Sequence, residues 1–183
     1  MKNKSLIIVA VAFAAILIIA VALYPELSEK AADSTDTTTE ISESTTESLY
    51  PRYTDVKLFD KNNRKVQLSD FEGKPIIINF WATWCGYCLY EMPDFEAAYN
   101  EYGDEIQFLI VNTNDSQKKA SGYIESKGYT FPVYYDLEYS AYEAYGLSSL
   151  PRTVAIDKDG NMIYNRAGMM NADILQSIID AVK

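Results

Sequence analysis

The stretch Asn79-Phe80-Trp81-Ala82-Thr83-Trp84-Cys85-Gly86-Tyr87-Cys88 decides how this chain is read. Ile76-Ile77-Ile78 stands before it, so an apolar run leads straight to a Cys-x-x-Cys pair. Such a run reads as a central strand covered on both faces. A helix is predicted from about Cys88 to Tyr102, because Phe95, Ala98, Tyr99 and Tyr102 recur at helical spacing and Gly103 follows. The first cysteine then sits at a strand-to-helix junction. Its sulfur faces the free N–H groups and the positive end of the helix dipole. Both favour the thiolate, which is the species that attacks a disulfide. Cys88, one turn inside the helix, can close on Cys85 and release a substrate. Cys85 is therefore the expected nucleophile and Cys88 the resolving thiol.

Two plainer explanations compete. A structural disulfide closing a loop of about four residues would contribute only about 2 kcal/mol, against nearly 5 for a long loop. A pair three apart is a weak staple and a good switch. Half of an intermolecular metal site is the other. Trp84 and Tyr87 flank the cysteines, and exposed aromatics there would make an apolar docking patch for substrate; Trp81 is expected in the core.

Outward from the pair, the chain alternates strands and helices. Val56–Phe59 and Lys65–Leu68 read as an antiparallel hairpin across Asp60-Lys61-Asn62-Asn63. Ile106–Val111 is the next buried strand. Asp115 or Ser116 caps a helix ending at Lys127, before Gly128. A short strand spans Phe131–Tyr135 and a short helix Tyr139–Tyr145. Thr153–Ile156 and Met162–Tyr164 form a second hairpin. A last helix from Ala172 to Val182 turns Ile174, Leu175, Ile178 and Ile179 inward. Pro93 falls inside the first helix and is expected to kink it. The sum is an α/β domain, a mixed sheet with helices on both faces.

Composition narrows the chemistry. The 183 residues carry a net charge of −10 and no histidine. That removes Ser-His-Asp hydrolysis, Cys-His proteolysis and His-rich metal sites. The acidity argues against nucleic acid as a partner. Two cysteines cannot assemble a four-ligand zinc site, so no metal is expected.

Three regions are predicted. In residues 1–24, Lys2 and Lys4 precede an apolar run of 18 residues, Leu6 to Leu23. As a helix it rises about 27 Å, close to the ~30 Å bilayer core. Lysines before the run favour a cytoplasmic N-terminus, with the rest of the chain outside the cell membrane. Ala20-Val21-Ala22 also resembles a signal-peptidase site. Either reading exports the domain. Residues 25–50 hold seven acids against one base between Glu26 and Ser48, with many Ser and Thr, and read as a disordered tether. Residues 51–183 form the domain.

The block from Asn79 to Cys88, followed by Glu91-Met92-Pro93, resembles the thioredoxin superfamily, and more narrowly its TlpA/ResA branch of membrane-anchored, extracytoplasmic thiol–disulfide oxidoreductases. The resemblance spans about residues 52–183. It implies a thioredoxin-like mixed sheet with an N-terminal β-hairpin and a mid-domain insertion, matched by Ser116–Tyr135. It implies a dithiol reaction needing no cofactor beyond the Cys85–Cys88 disulfide. The branch reduces disulfides in exported proteins, apocytochromes c among them, with electrons from a membrane thiol transporter of the CcdA/DsbD type. By the same resemblance Pro151 is a cis-proline beside the cysteines, leaving the Leu150 backbone to pair with an extended substrate. The alternative is a trans proline that starts a strand. Glu91 would lie near the buried sulfur and relay the proton of Cys88; otherwise it is an acid near the helix start, interacting with the dipole. Asn79 stands where thioredoxin has a buried aspartate and cannot take a proton, which moves that task to Glu91.

Gly86-Tyr87 lacks the proline common before the second cysteine and is similar to the dipeptide of disulfide isomerases. An oxidase or isomerase is thus the alternative. A copper-chaperone role, from a different class, would require a wider cysteine spacing and a histidine.

Overall fold

Residues 76–81, Ile-Ile-Ile-Asn-Phe-Trp, are all buried and form β3 (Ile76–Trp81) at the heart of the sheet. The structure, a computed structural model, describes residues 51–183. The expected membrane anchor and acidic tether lie outside the described residues. Around β3 run β1 (Lys57–Phe59), β2 (Lys65–Gln67), β4 (Gln107–Asn112), β5 (Val133–Tyr135), β6 (Arg152–Ile156) and β7 (Met162–Ala167). Their order is β2-β1-β5-β4-β3-β6-β7. β3 pairs parallel with β4 and antiparallel with β6, and β4 pairs parallel with β5. The sheet is mixed, as expected.

Successive side chains of β3 point to opposite faces. Ile77 and Trp81 join Phe108 and Ile110 of β4 beneath α1 (Gly86–Tyr102), α2 (Gln117–Lys127) and α4 (Ala172–Val182). Ile76, Ile78 and Phe80 join Leu109 and Val111 on the other face, closed by Val56, Leu58 and α3 (Ser140–Tyr145). Asn79 shares the parity of Ile77 and Trp81, so its amide is carried beneath α1.

Several boundaries differ from expectation. α1 begins at Gly86, with Cys85 as its N-cap, so both residues between the cysteines are already helical. It runs to Tyr102 and includes Pro93. Ser116 alone caps α2, accepting from the Lys119 N–H. A 3₁₀ turn at Leu68–Phe71 escaped the sequence reading; at its start the Asp70 carboxylate accepts from the Gln67 N–H at 2.8 Å. β7 continues to Ala167 because Arg152 and Thr153 carry its pairing onward, opposite Ala167 and Arg166. Ile174, expected inward, is 44% exposed. The buried stripe of α4 is Leu175, Ile178, Ile179 and Val182, and its 3.6-residue period leaves Ile174 on the rim.

Two glycines separate close packing from mere permissiveness. A Cβ on Gly103, the C-cap of α1, would stand 2.6 Å from the Tyr99 carbonyl oxygen and 2.9 Å from its ring. A Cβ on Gly122, inside α2, meets nothing within 4 Å. Gly103→Ala should therefore cost about 1–3 kcal/mol through overpacking, whereas Gly122→Ala should stabilise by about 0.5–1 kcal/mol through helix propensity. Urea unfolding of both variants checks the opposite signs.

Candidate active site

Cys85 and Cys88 are joined in a disulfide across a Cα–Cα distance of 5.3 Å. Cys85 is 6% exposed and Cys88 is fully buried, so of the two only Cys85 reaches the surface. The Cys85 N–H donates to the Ala82 carbonyl at 3.1 Å, closing the turn between β3 and α1. Its sulfur accepts from the Cys88 N–H at 3.2 Å, in the place a capping side chain occupies at a helix start.

The sheet register gathers the other expected residues at the same end. Arg152 of β6 pairs with Phe80 near the C-terminal end of β3. Leu150–Pro151, immediately before it, is a cis peptide. Pro151 is buried and Leu150 half-buried. The Pro151 carbonyl accepts from the Gly168 N–H at 2.9 Å. That bond brings the segment Gly168-Met169-Met170 after β7 to the same end. The Arg152 Nε donates to Asn165 at 2.7 Å along the β6–β7 hairpin.

Trp84 and Tyr87 are 62% and 69% exposed beside the cysteines. Sequence reading missed Tyr90, which is 74% exposed. Its signal was the i, i+3 relation to Tyr87, which puts both rings on one helix face. With Gly86 and Met169 the two tyrosines line an open apolar depression of about 390 Å³.

Glu91 is fully buried and lies beyond the first turn of α1, so it is not a surface acid at the helix start. One carboxylate oxygen accepts from Asn79 Nδ2 at 2.7 Å, the other from the Met170 N–H at 2.9 Å. Asn79 Nδ2 also reaches Thr153 Oγ1 at 3.2 Å. Glu91 thus ties α1 to β3 and to the segment after β7, and Asn79 extends the cluster to β6. Burial raises its pKa from the ordinary 4.5 to about 7, with Asp94 adding to the rise, while the donors at Met170 and Asn79 oppose it. Cys88 is three residues earlier on the same helix, within the reach of i, i+3 neighbours. Among the described residues no group of three or more His, Cys, Asp or Glu side chains is arranged to hold a metal.

An acid with a raised folded pKa binds its proton more tightly in the folded protein than in the unfolded chain. Its contribution to stability is full below about pH 4.5 and is lost as pH rises through about 7. The expected loss is about 3 kcal/mol. Denaturant unfolding of the oxidised protein between pH 4 and 8 should show this fall, and Glu91→Gln should remove that part of it. A slope identical in the two proteins would contradict the assignment.

The Redoxin family matches residues 32–182. The thiol–disulfide oxidoreductase ResA of Bacillus subtilis is 30% identical over 127 residues, covering 69% of this chain and 71% of that protein. ResA of Geobacillus thermodenitrificans is 32% identical over 130 residues, covering 70% and 75%. Among solved structures, the exposed lipoprotein thioredoxin of Streptococcus pneumoniae is 30% identical with a TM-score of 0.61, covering 69% of this chain and 99% of that one. The expected thioredoxin-like fold is thus borne out. The chain belongs to the Redoxin family, as a thiol–disulfide oxidoreductase of the ResA kind.

Proposed function

We propose that this oxidoreductase works outside the cell membrane, held by its N-terminal segment, and reduces disulfides in exported proteins such as apocytochrome c or an exported redox enzyme. Electrons would come from a membrane thiol carrier of the CcdA/DsbD type. The observation that carries the chemistry is the buried Glu91 carboxyl, with a pKa near 7, three residues beyond the buried Cys88 on one helix. The apolar run after Lys2 and Lys4 supports the location, and the resemblance of the Trp-Cys-x-x-Cys block and its Glu-Met-Pro tail to the TlpA/ResA branch supports the direction of electron flow.

In the reaction, the Cys85 thiolate attacks one substrate sulfur. A protein–substrate disulfide forms and the other substrate sulfur leaves as a thiolate. Cys88 then loses its proton to the Glu91 carboxylate and attacks Cys85. The second substrate thiolate leaves, and the Cys85–Cys88 disulfide is restored. Two electrons pass from the protein dithiol to the substrate disulfide. Trp84 and Tyr87 offer apolar contact to the arriving chain. The Leu150 backbone, ahead of the cis Pro151, offers an edge for an extended segment.

The Gly86-Tyr87 dipeptide favours a second reading, an oxidase or isomerase of exported proteins, because these positions help set thiolate stability and hence potential. The reduction potential of the pair separates the two. A value near or below about −250 mV is expected for the reductant, and one of about −120 to −180 mV would assign the oxidative role instead. Cys85→Ser should abolish insulin-disulfide reduction. Glu91→Gln should slow it about a hundredfold, the usual scale of a lost general base. It should also flatten the rise in rate expected across pH 7 as the carboxyl ionises. Full activity in Cys85→Ser would defeat the mechanism.

A further inference from the structure

The short turn between β3 and α1 carries the reacting sulfur, and one side chain from elsewhere in the chain holds it. That side chain is Asp115, in the loop between β4 and α2. Its carboxylate accepts from the Thr83 N–H at 2.6 Å and from the Thr83 hydroxyl at 2.8 Å, one bond to each oxygen. Asn112 Nδ2 and Lys119 Nζ donate to it at 3.1 and 2.8 Å. The side chain is only 2% exposed. Burial works against its charge, but the donors outweigh burial and hold the carboxyl below its ordinary range.

This carboxylate has no capping duty of its own, because Ser116 caps α2. Its loop is fixed independently: the Thr113 N–H donates to the Trp81 carbonyl at 2.9 Å, and Asn114 takes a left-handed conformation with φ of 66°. Both loops leave the C-terminal ends of the parallel strands β3 and β4. A rigid anchor thus stands beside a turn whose ends, Ala82 and Cys85, are buried, while its middle is less packed, with Thr83 half-buried and Trp84 exposed.

We propose that Asp115 is a positioning residue for the nucleophile: by gripping the Thr83 amide and hydroxyl together, it fixes the turn Ala82–Cys85 and seats the Cys85 sulfur over the first N–H groups of α1. The inference rests on Cys85 being the attacking sulfur. Two bonds from one carboxylate set both the peptide plane and the rotamer of Thr83. Releasing them lets the turn rotate away from the helix start. The Cys85 thiolate then loses N–H stabilisation, so less thiolate forms at neutral pH. Because the reduced state is the one weakened, the potential moves to more negative values.

Thr83→Val, Thr83→Ser and Asp115→Asn, each in the full-length protein, test this. The readouts are the pH midpoint of alkylation of the reduced protein, with the labelled cysteine identified by mass spectrometry, and the rate of insulin reduction at pH 7. Thr83→Val removes the hydroxyl bond without changing charge and should raise the midpoint by about 0.5–1 pH unit, which corresponds to roughly three- to tenfold less thiolate and a matching loss of rate. Asp115→Asn should move both in the same direction, and Thr83→Ser should restore the wild-type values. A lower midpoint in Asp115→Asn beside an unchanged Thr83→Val would reveal a through-space charge effect and overturn positioning. So would unchanged midpoints in both variants, even with reduced thermal stability. Labelling of Cys88 before Cys85 would instead overturn the nucleophile assignment, regardless of the variants.

Discussion

The double coverage of β3 is the constraint on which the rest depends. A strand paired on both edges and buried on both faces has one position and one direction, so the residues after it are delivered to a fixed point. Those residues make a turn, a cysteine and a helix start. Cys85 inherits the precision of the core at whose edge it is buried. The antiparallel entry of β6 beside β3 brings the cis Leu150–Pro151 bond to the same end, and the β6–β7 hairpin returns Met169 and Met170 there.

Beneath that end lies a polar cluster that a purely apolar packing scheme would not contain. Burying Glu91 on the inner face of α1 disfavours its charged form, and two donors compensate for only part of that. The folded protein therefore carries an acid poised near neutrality, where proton transfer in either direction is easy. Asn79 matters here by what it cannot do. It donates to the carboxylate but takes no proton, so titration near the buried sulfur is left to one group. Stability in the upper pH range is given up at the position where chemistry benefits.

The active end has two anchors of different kinds. Glu91 joins elements under the resolving cysteine, whereas Asp115 joins two loops beside the attacking one. One carboxyl is held near neutrality and the other is kept ionised. The difference comes from burial and donors together: Glu91 is the more deeply buried and has an amide and one backbone N–H, whereas Asp115 has a lysine and several hydrogen-bond donors.

Much of this was legible in the sequence because it is local. The run Ile76–Trp81, the spacing of Cys85 and Cys88, the periodicity of α1 and the glycine stops are each written within a few residues, and hydrophobic period and capping read them directly. The order of elements comes from the same signals, and the Trp-Cys-x-x-Cys block with its Glu-Met-Pro tail pointed to the family. Only the tertiary structure decided that Asn79 meets Glu91, that the Met170 amide completes the carboxylate's partners, that Tyr90 and Met169 share a depression, and that Asp115 leaves its own helix cap to hold Thr83. These pairs lie 12, 79 and 32 residues apart for Asn79–Glu91, Met170–Glu91 and Thr83–Asp115. No local period encodes such partners. They are set by strand order and register, which are properties of the packed chain.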